Sequence, residues 1–98
     1  MKLWLLPQAQ LRIDAAREWW LEHRDKAPAL FDEELAAALA RIRDVPTIGQ
    51  RVRLATGEPV RRVLLPKTAH HLYYDVEGDE VVVLTLWGAP RGDERRFG

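Results

Sequence analysis

Two regular spacings of apolar residues divide the chain into a helical part and a sheet-forming part. After a short apolar run at residues 2–6, closed by Pro7, apolar positions recur three or four residues apart, as on one side of an α-helix. The first stripe contains Ala9, Ile13, Ala16 and Trp20, and the second contains Phe31, Leu35, Leu39 and Ile42. The pattern predicts a first strand, a helix over residues 8–26, and a second, antiparallel helix from about Pro28 to residues 44–46.

The spacing changes to the two-residue alternation of β-strands after residue 50. A short strand is predicted over residues 51–55, and longer strands over residues 60–65, 70–76 and 81–87. Alternation in the third of these four strands places His70, Leu72, Tyr74 and Val76 on the face toward the helices, and His71, Tyr73 and Asp75 on the other. The last strand is apolar on both faces, which predicts a central position, with Val81, Val83 and Trp87 on one face and Val82, Leu84 and Leu86 on the other.

These elements predict one α+β domain over residues 1–98. The predicted order is β-α-α-β-β-β, with a helical hairpin packed on one face of a mostly antiparallel sheet. A chain of 98 residues is long enough for a single two-layer core. No predicted element covers the opposite face of the sheet.

Composition excludes several kinds of chemistry. The chain has no Cys and no Ser, so a Ser or Cys nucleophile, a disulfide and a thiolate metal site are all impossible. His70 and His71 are neighbours on a predicted strand and point to opposite faces, and His23 is distant, so no metal site or cofactor is expected. No apolar run approaches the roughly 18 residues that span a bilayer, and we expect a cytoplasmic protein without a membrane partner.

Charge is balanced overall but locally uneven. Fifteen basic and fifteen acidic residues give a net charge of zero, which does not favour a nucleic-acid-binding domain. Basic and imidazole groups nevertheless lie on or beside the strands: Arg61, Arg62, Lys67, His71 and Arg91, with Tyr73 among them. Such a cluster on an uncovered sheet face can grip phosphate, stack a base or pair with carboxylates of a partner. A solvated outer face with scattered polar residues explains the same pattern.

The order and spacing of these segments resemble the RelE/ParE superfamily of bacterial toxins. The resemblance rests on the turn at residues 46–49, the strands at residues 60–65 and 71–76, and a last strand that runs into Gly88 and Arg91. It implies the toxin of a type II toxin–antitoxin pair, bound by a small cognate antitoxin in a hetero-oligomer. One branch of the superfamily cleaves messenger RNA on the ribosome, and the ParE-like branch inhibits DNA gyrase.

The resemblance favours the ParE-like branch. Ribonuclease members keep a Tyr or His near the C-terminus as an acid or stacking group, whereas this chain has Phe97, which cannot donate a proton. Inhibition of gyrase is therefore predicted, with a ribosome-dependent endoribonuclease and an inactive binding module as alternatives. The residues implied in binding the target or antitoxin are Arg61, Arg62, Lys67, His71, Tyr73, Arg91, Arg95 and Arg96. The residues implied in ribonuclease chemistry are His71, Tyr73, Arg91, Arg61 and Lys67.

Overall fold

A five-stranded sheet packed against two helices makes up the computed structural model, which describes residues 1–23 and 27–88. The helices are α1, Pro7–His23, and α2, Leu30–Asp44, and a short 3₁₀ turn, Pro46–Ile48, follows α2. The strands are β1, Lys2–Leu5; β2, Gln50–Arg53; β3, Pro59–Leu65; β4, His70–Glu77; and β5, Glu80–Gly88. No helix in these ranges is long and apolar enough to cross a membrane.

The strands lie in the order β1-β5-β4-β3-β2. β1 runs parallel to β5, and every other neighbouring pair is antiparallel, so the predicted α+β class with a mostly antiparallel sheet is confirmed. The predicted order β-α-α-β-β-β leaves out the short strand that the spacing predicts over residues 51–55. That strand is present as β2, whose four residues all pair with β3, and the observed order is β-α-α-β-β-β-β.

The core lies between the two helices and one face of the sheet. Of the predicted stripes, Ala9, Ile13, Trp20, Phe31, Leu35 and Ile42 are buried and meet Leu72 and Tyr74 of β4, as predicted. Ala16, Leu39 and Val76 are only partly buried at its margin, so Leu39 contributes less to the core than its spacing predicts. The remaining buried members of the cluster are Ala38, Leu65, Val81, Val83 and Leu86.

A β-bulge changes the phase of β5. Tyr73 pairs with Thr85 and Tyr74 with Val83, so Leu84 is an extra residue without a partner on β4. Leu86 therefore joins Val83 in the core, although strict alternation predicts that these two residues lie on opposite faces. The prediction was wrong beyond residue 83 because a bulge shifts every later side chain to the other face.

The 3₁₀ turn is fastened to the sheet by Tyr74. Its buried hydroxyl donates to the carbonyl oxygen of Pro46 at 2.7 Å and accepts from the amide of Gly49 at 2.8 Å. A Cβ atom on Gly49 would lie 2.5 Å from that hydroxyl oxygen, so only glycine allows this approach. The contact fixes where the chain leaves α2 and enters β2, beside the candidate site.

Candidate functional site

Three of the residues predicted to form a site lie together on the uncovered face of the sheet. Arg62 of β3 pairs with Tyr73 of β4, and Tyr73 pairs in turn with Thr85 of β5. His71 lies two residues from Tyr73 on the same face, and their rings meet edge to face with centroids 6.2 Å apart. None of the described elements covers this face. Arg62, His71 and Tyr73 therefore form a connected polar cluster at its centre.

The imidazole of His71 lies in a surrounding that disfavours its charged form. Burial and the nearby guanidinium of Arg62 lower the pKa of His71. A neutral imidazole at neutral pH has one nitrogen that accepts a proton or hydrogen bond and one that donates. His71 is thus able to act as a base or a hydrogen-bonding group, but it adds little positive charge.

Within residues 1–23 and 27–88, two polar side-chain atoms of this face are hidden from solvent without a hydrogen-bond partner. They are Nε of Arg62 and Oγ1 of Thr85, which flank Tyr73. A buried polar group without a partner costs about 1–3 kcal/mol, so such atoms are uncommon in folded proteins. A ligand that reaches the Arg62 guanidinium would recover part of that cost.

Arg61 does not belong to this cluster, although it was predicted to. Neighbouring residues on a strand point to opposite faces, and Arg61 follows the side that faces the helices. Its Nη1 donates to the carbonyl oxygens of Thr47 at 3.1 Å and Gly49 at 2.8 Å. Arg61 therefore braces the 3₁₀ turn, and its charge points away from His71 and Tyr73.

Lys67 is also separated from the cluster. It lies in the turn between β3 and β4, where its backbone amide donates to Oε2 of Glu34 at 2.7 Å. Thr68 adds two hydrogen bonds to Oε1 of Glu34, at 2.9 Å from its amide and 2.7 Å from its hydroxyl. Burial opposes the charge on Glu34, but these hydrogen bonds together with the charge of Lys67 outweigh it and lower the pKa of the carboxyl. These hydrogen bonds fasten the β3–β4 turn to α2.

Other predicted site residues lie outside the described residues. They are Arg91, Arg95 and Arg96, together with Phe97. Within residues 1–23 and 27–88, no group of three or more His, Cys, Asp or Glu residues is arranged to hold a metal ion. His70 packs edge to face on Phe31 with ring centroids 5.4 Å apart, on the opposite side of the sheet from His71.

The structure adds one residue that the sequence did not indicate. Arg41, on the last turn of α2, lines a cavity of about 260 Å³ together with Arg62 and His71. The position of Arg41 near the C-terminus of the helix predicts only a cation that complements the negative end of the helix dipole. No spacing in the sequence indicates a further role for Arg41, because its position beside Arg62 depends on how α2 packs against β3.

Comparison with known proteins shows similarity at the level of the fold. No protein-family model matches the chain, and no curated protein sequence matches it. A chain of the chromosomal ParDE TA system from P. aeruginosa superposes with a TM-score of 0.66 at 15% identity, covering 92% of this chain and 97% of that one. The YoeB/ParE toxin from Agrobacterium tumefaciens superposes with a TM-score of 0.53 at 16% identity, covering 92% of this chain and 100% of that one. At the level of the fold, the resemblance predicted from the sequence is thereby confirmed, because the chain has the same fold as these two structures.

Proposed function

We propose that this protein is the toxin of a toxin–antitoxin pair, that it inhibits DNA gyrase in the ParE manner, and that a small cognate antitoxin neutralises it. The fold supports the toxin assignment, because the two structures named above come from toxin systems and the superposition covers 92% of this chain in each case. The proposal treats residues 1–98 as one toxin domain that acts in the cytoplasm and forms a hetero-oligomer with the antitoxin.

The choice of gyrase rests on the charge around His71 and Tyr73. In-line cleavage of RNA requires a base, an acid and several cations that hold the phosphate charge. Among the residues paired with His71 and Tyr73 on neighbouring strands, Arg62 is the only cation. Arg61 is bound to backbone carbonyls on the other face, and Lys67 lies in the β3–β4 turn. Arg41 lines the cavity beside Arg62 and His71, so the described residues bring two cations to this site, which leaves it poorly equipped for phosphate chemistry.

One observation favours a ribonuclease as the second candidate. A neutral His71 lies beside the Tyr73 ring at a centroid distance of 6.2 Å, next to the guanidinium of Arg62. A base, a hydroxyl donor and one cation are thus within reach of one another. General acid–base assistance is typically worth about 10²–10⁴-fold, so loss of either partner would be measurable.

The experiment compares both targets with one purified protein. Expression in bacteria is expected to arrest growth, and co-expression of a small acidic protein encoded beside the gene is expected to restore it. The purified protein is expected to inhibit supercoiling by gyrase and to leave messenger RNA on translating ribosomes intact in primer extension. The His71→Ala and Tyr73→Phe variants are assayed beside the wild type, because a ribonuclease built on these residues loses cleavage in both.

Other outcomes identify the alternatives. Discrete cuts within codons that disappear in His71→Ala would replace the gyrase proposal with a ribonuclease. Normal growth during expression of a soluble, folded protein would leave only a binding module of this fold. Growth arrest with neither supercoiling inhibition nor cleavage would retain the toxin and reject both targets.

A further inference from the structure

The edge of β3 is uncovered over its last three residues. β2 pairs with Pro59–Arg62, and this pairing starts only at Gln50 because the chain reaches β2 from the 3₁₀ turn. Val63, Leu64 and Leu65 pair with β4 on one side, and no described strand lies on their other side. Unpaired backbone at the edge of a sheet is able to accept an extended peptide as an added strand.

A cavity opens at the point where the pairing with β2 ends. It has a volume of about 260 Å³ and is lined by polar Arg41, Gln50, Arg62 and His71, and by apolar Ile48, Val63 and Leu64. None of its lining residues within 1–23 and 27–88 is a carboxylate, and the ion pairs found among these residues involve only Arg17. The two arginines thus bring positive charge to one cavity, without an acidic partner in the described part of the chain.

The Arg62 side chain is prepared for an incoming acceptor. Its Nε is hidden from solvent and has no hydrogen-bond partner among the residues that the structure describes. A guanidinium already partly desolvated gives up less hydration when it binds, and it presents a planar fork that matches a carboxylate. The lowered pKa of His71 leaves the imidazole neutral and able to donate or accept beside it.

We propose that Arg41 and Arg62 form a carboxylate-binding pocket at the free edge of β3, which receives an Asp or Glu side chain from an extended segment of the antitoxin. The identity of the partner rests on the proposed function, whereas the chemistry of the pocket rests on its lining. Ile48 and Leu64, each 46% exposed, supply apolar surface on which the neighbouring side chains of such a segment pack.

The apolar lining favours a peptide over a nucleic-acid backbone. A strand of nucleic acid presents a row of phosphates and needs a row of cations or aromatic platforms. This pocket has two cations and no aromatic group except His71, and three aliphatic side chains form the rest of its wall beside Gln50. A carboxylate flanked by apolar residues matches that combination.

A second cavity lies beyond the carboxylate-binding pocket along β3, and its lining indicates the direction in which the segment binds. This cavity of about 370 Å³ shares Arg41 and extends to Leu30, Ala37, Pro66 and Lys67, with Glu33 and Glu34 in its wall. From Arg62 to Leu65, the last residue of β3, the strand extends about 10 Å at roughly 3.3 Å per residue, and the β3–β4 turn with Lys67 follows. We therefore expect the acidic residue of the segment at the Arg62 end, and a neutral or basic residue near the two glutamates.

The test uses two blocked pentapeptides, acetyl-Thr-Val-Glu-Val-Thr-amide and the same sequence with Gln in place of Glu. Binding is measured by titration while the arginine Nε–H signals of the full chain are followed by NMR. The Glu peptide is expected to bind about tenfold or more tightly than the Gln peptide, with the Arg62 signal shifting, because hydrogen bonds to a charged group are worth roughly 1.5–3 kcal/mol.

Matched variants separate the pocket from general charge. Arg41→Gln is expected to weaken the Glu peptide at least fivefold. Arg43→Gln removes the same charge from the same helical turn but lies outside the pocket, where Nε of Arg43 meets the Met1 carbonyl oxygen at 3.3 Å, so it is expected to leave affinity unchanged. Thermal unfolding of both variants shows whether they are equally folded.

Three results would overturn the pocket. They are equal affinity for the Glu and Gln peptides, equal loss in the two arginine variants, and tighter binding of inorganic phosphate than of the Glu peptide, which would make the pocket a phosphate site. Failure of the proposed function is distinguishable. Growth arrest and rescue with no peptide binding would reject the pocket alone, and peptide binding without growth arrest would reject the toxin assignment alone.

Discussion

The hydroxyl group of Tyr74 is predicted to contribute a large share of the stability of this fold. Tyr74→Phe removes only the hydroxyl and keeps the ring, which is fully buried among core residues. The variant therefore creates almost no cavity. What it removes is a donor to the Pro46 carbonyl oxygen and an acceptor for the Gly49 amide, at 2.7 and 2.8 Å.

The expected cost follows from the burial of these groups. Each hydrogen bond contributes about 1 kcal/mol net, and a buried amide left without an acceptor costs about 1–3 kcal/mol. Gly49 is buried, so water does not readily replace the hydroxyl. We expect Tyr74→Phe to lower the free energy of unfolding by about 2–4 kcal/mol, a large part of the roughly 5–15 kcal/mol typical of a domain.

Urea unfolding followed by tryptophan fluorescence measures this cost. With a slope of about 2 kcal/mol per molar, the midpoint should fall by about 1–2 M while the slope stays the same. Tyr73→Phe is the matched control, because no hydrogen bond of the Tyr73 hydroxyl is present among the described residues. Its free energy of unfolding should change by less than about 0.5 kcal/mol.

A second variant approaches the same contact from the other side. Gly49→Ala places a Cβ atom 2.5 Å from the Tyr74 oxygen and 2.8 Å from its Cε1, so either the ring or the 3₁₀ turn must move. Overpacking of this kind typically costs about 1–3 kcal/mol.

If Tyr74→Phe and Tyr73→Phe unfold at the same urea concentration, the hydroxyl does not stabilise the turn and the reasoning is refuted.

Three further predictions concern the core and the ionisable groups. In urea unfolding, Ile42→Ala is expected to lower the free energy of unfolding by about 2–5 kcal/mol, because Ile42 is fully buried. Leu39→Ala is expected to lower it distinctly less, because Leu39 is partly exposed, and equal losses would contradict the observed helix phase. The folded state lowers the pKa of Glu34, so its contribution to stability is present above the ordinary carboxyl pKa and lost as pH falls through the folded value. Wild type should therefore lose more stability than Glu34→Gln between about pH 5 and pH 3, and parallel curves would exclude this role. NMR titration of His71 should give a pKa below about 6.5, which rises in Arg62→Gln but stays lowered because burial remains; no response to Arg62→Gln would separate the two groups.

Much of the candidate site was within reach of the sequence. His71 and Tyr73 share a face because they are two residues apart on one strand, and Arg62 joins them through strand pairing. The same alternation places Arg61 on the opposite face from Arg62, so the sequence already implied that Arg61 does not belong to the cluster, and including it was wrong. The position of Arg41 beside Arg62 was not predictable from the sequence, because no local spacing relates a residue on a helix to a strand about twenty positions later.

The helices, the strands and the α+β class were predictable from the spacing of apolar residues, since the periods of 3.6 and 2 residues are properties of neighbouring positions. The tertiary structure alone decided that β1 pairs in parallel with β5, the last strand, because that contact joins distant parts of the chain. It also decided the bulge at Leu84, which returns Leu86 to the core, and the short pairing of β2, which leaves the last three residues of β3 free on that edge. These features depend on which surfaces are buried together, and local spacing does not contain that information.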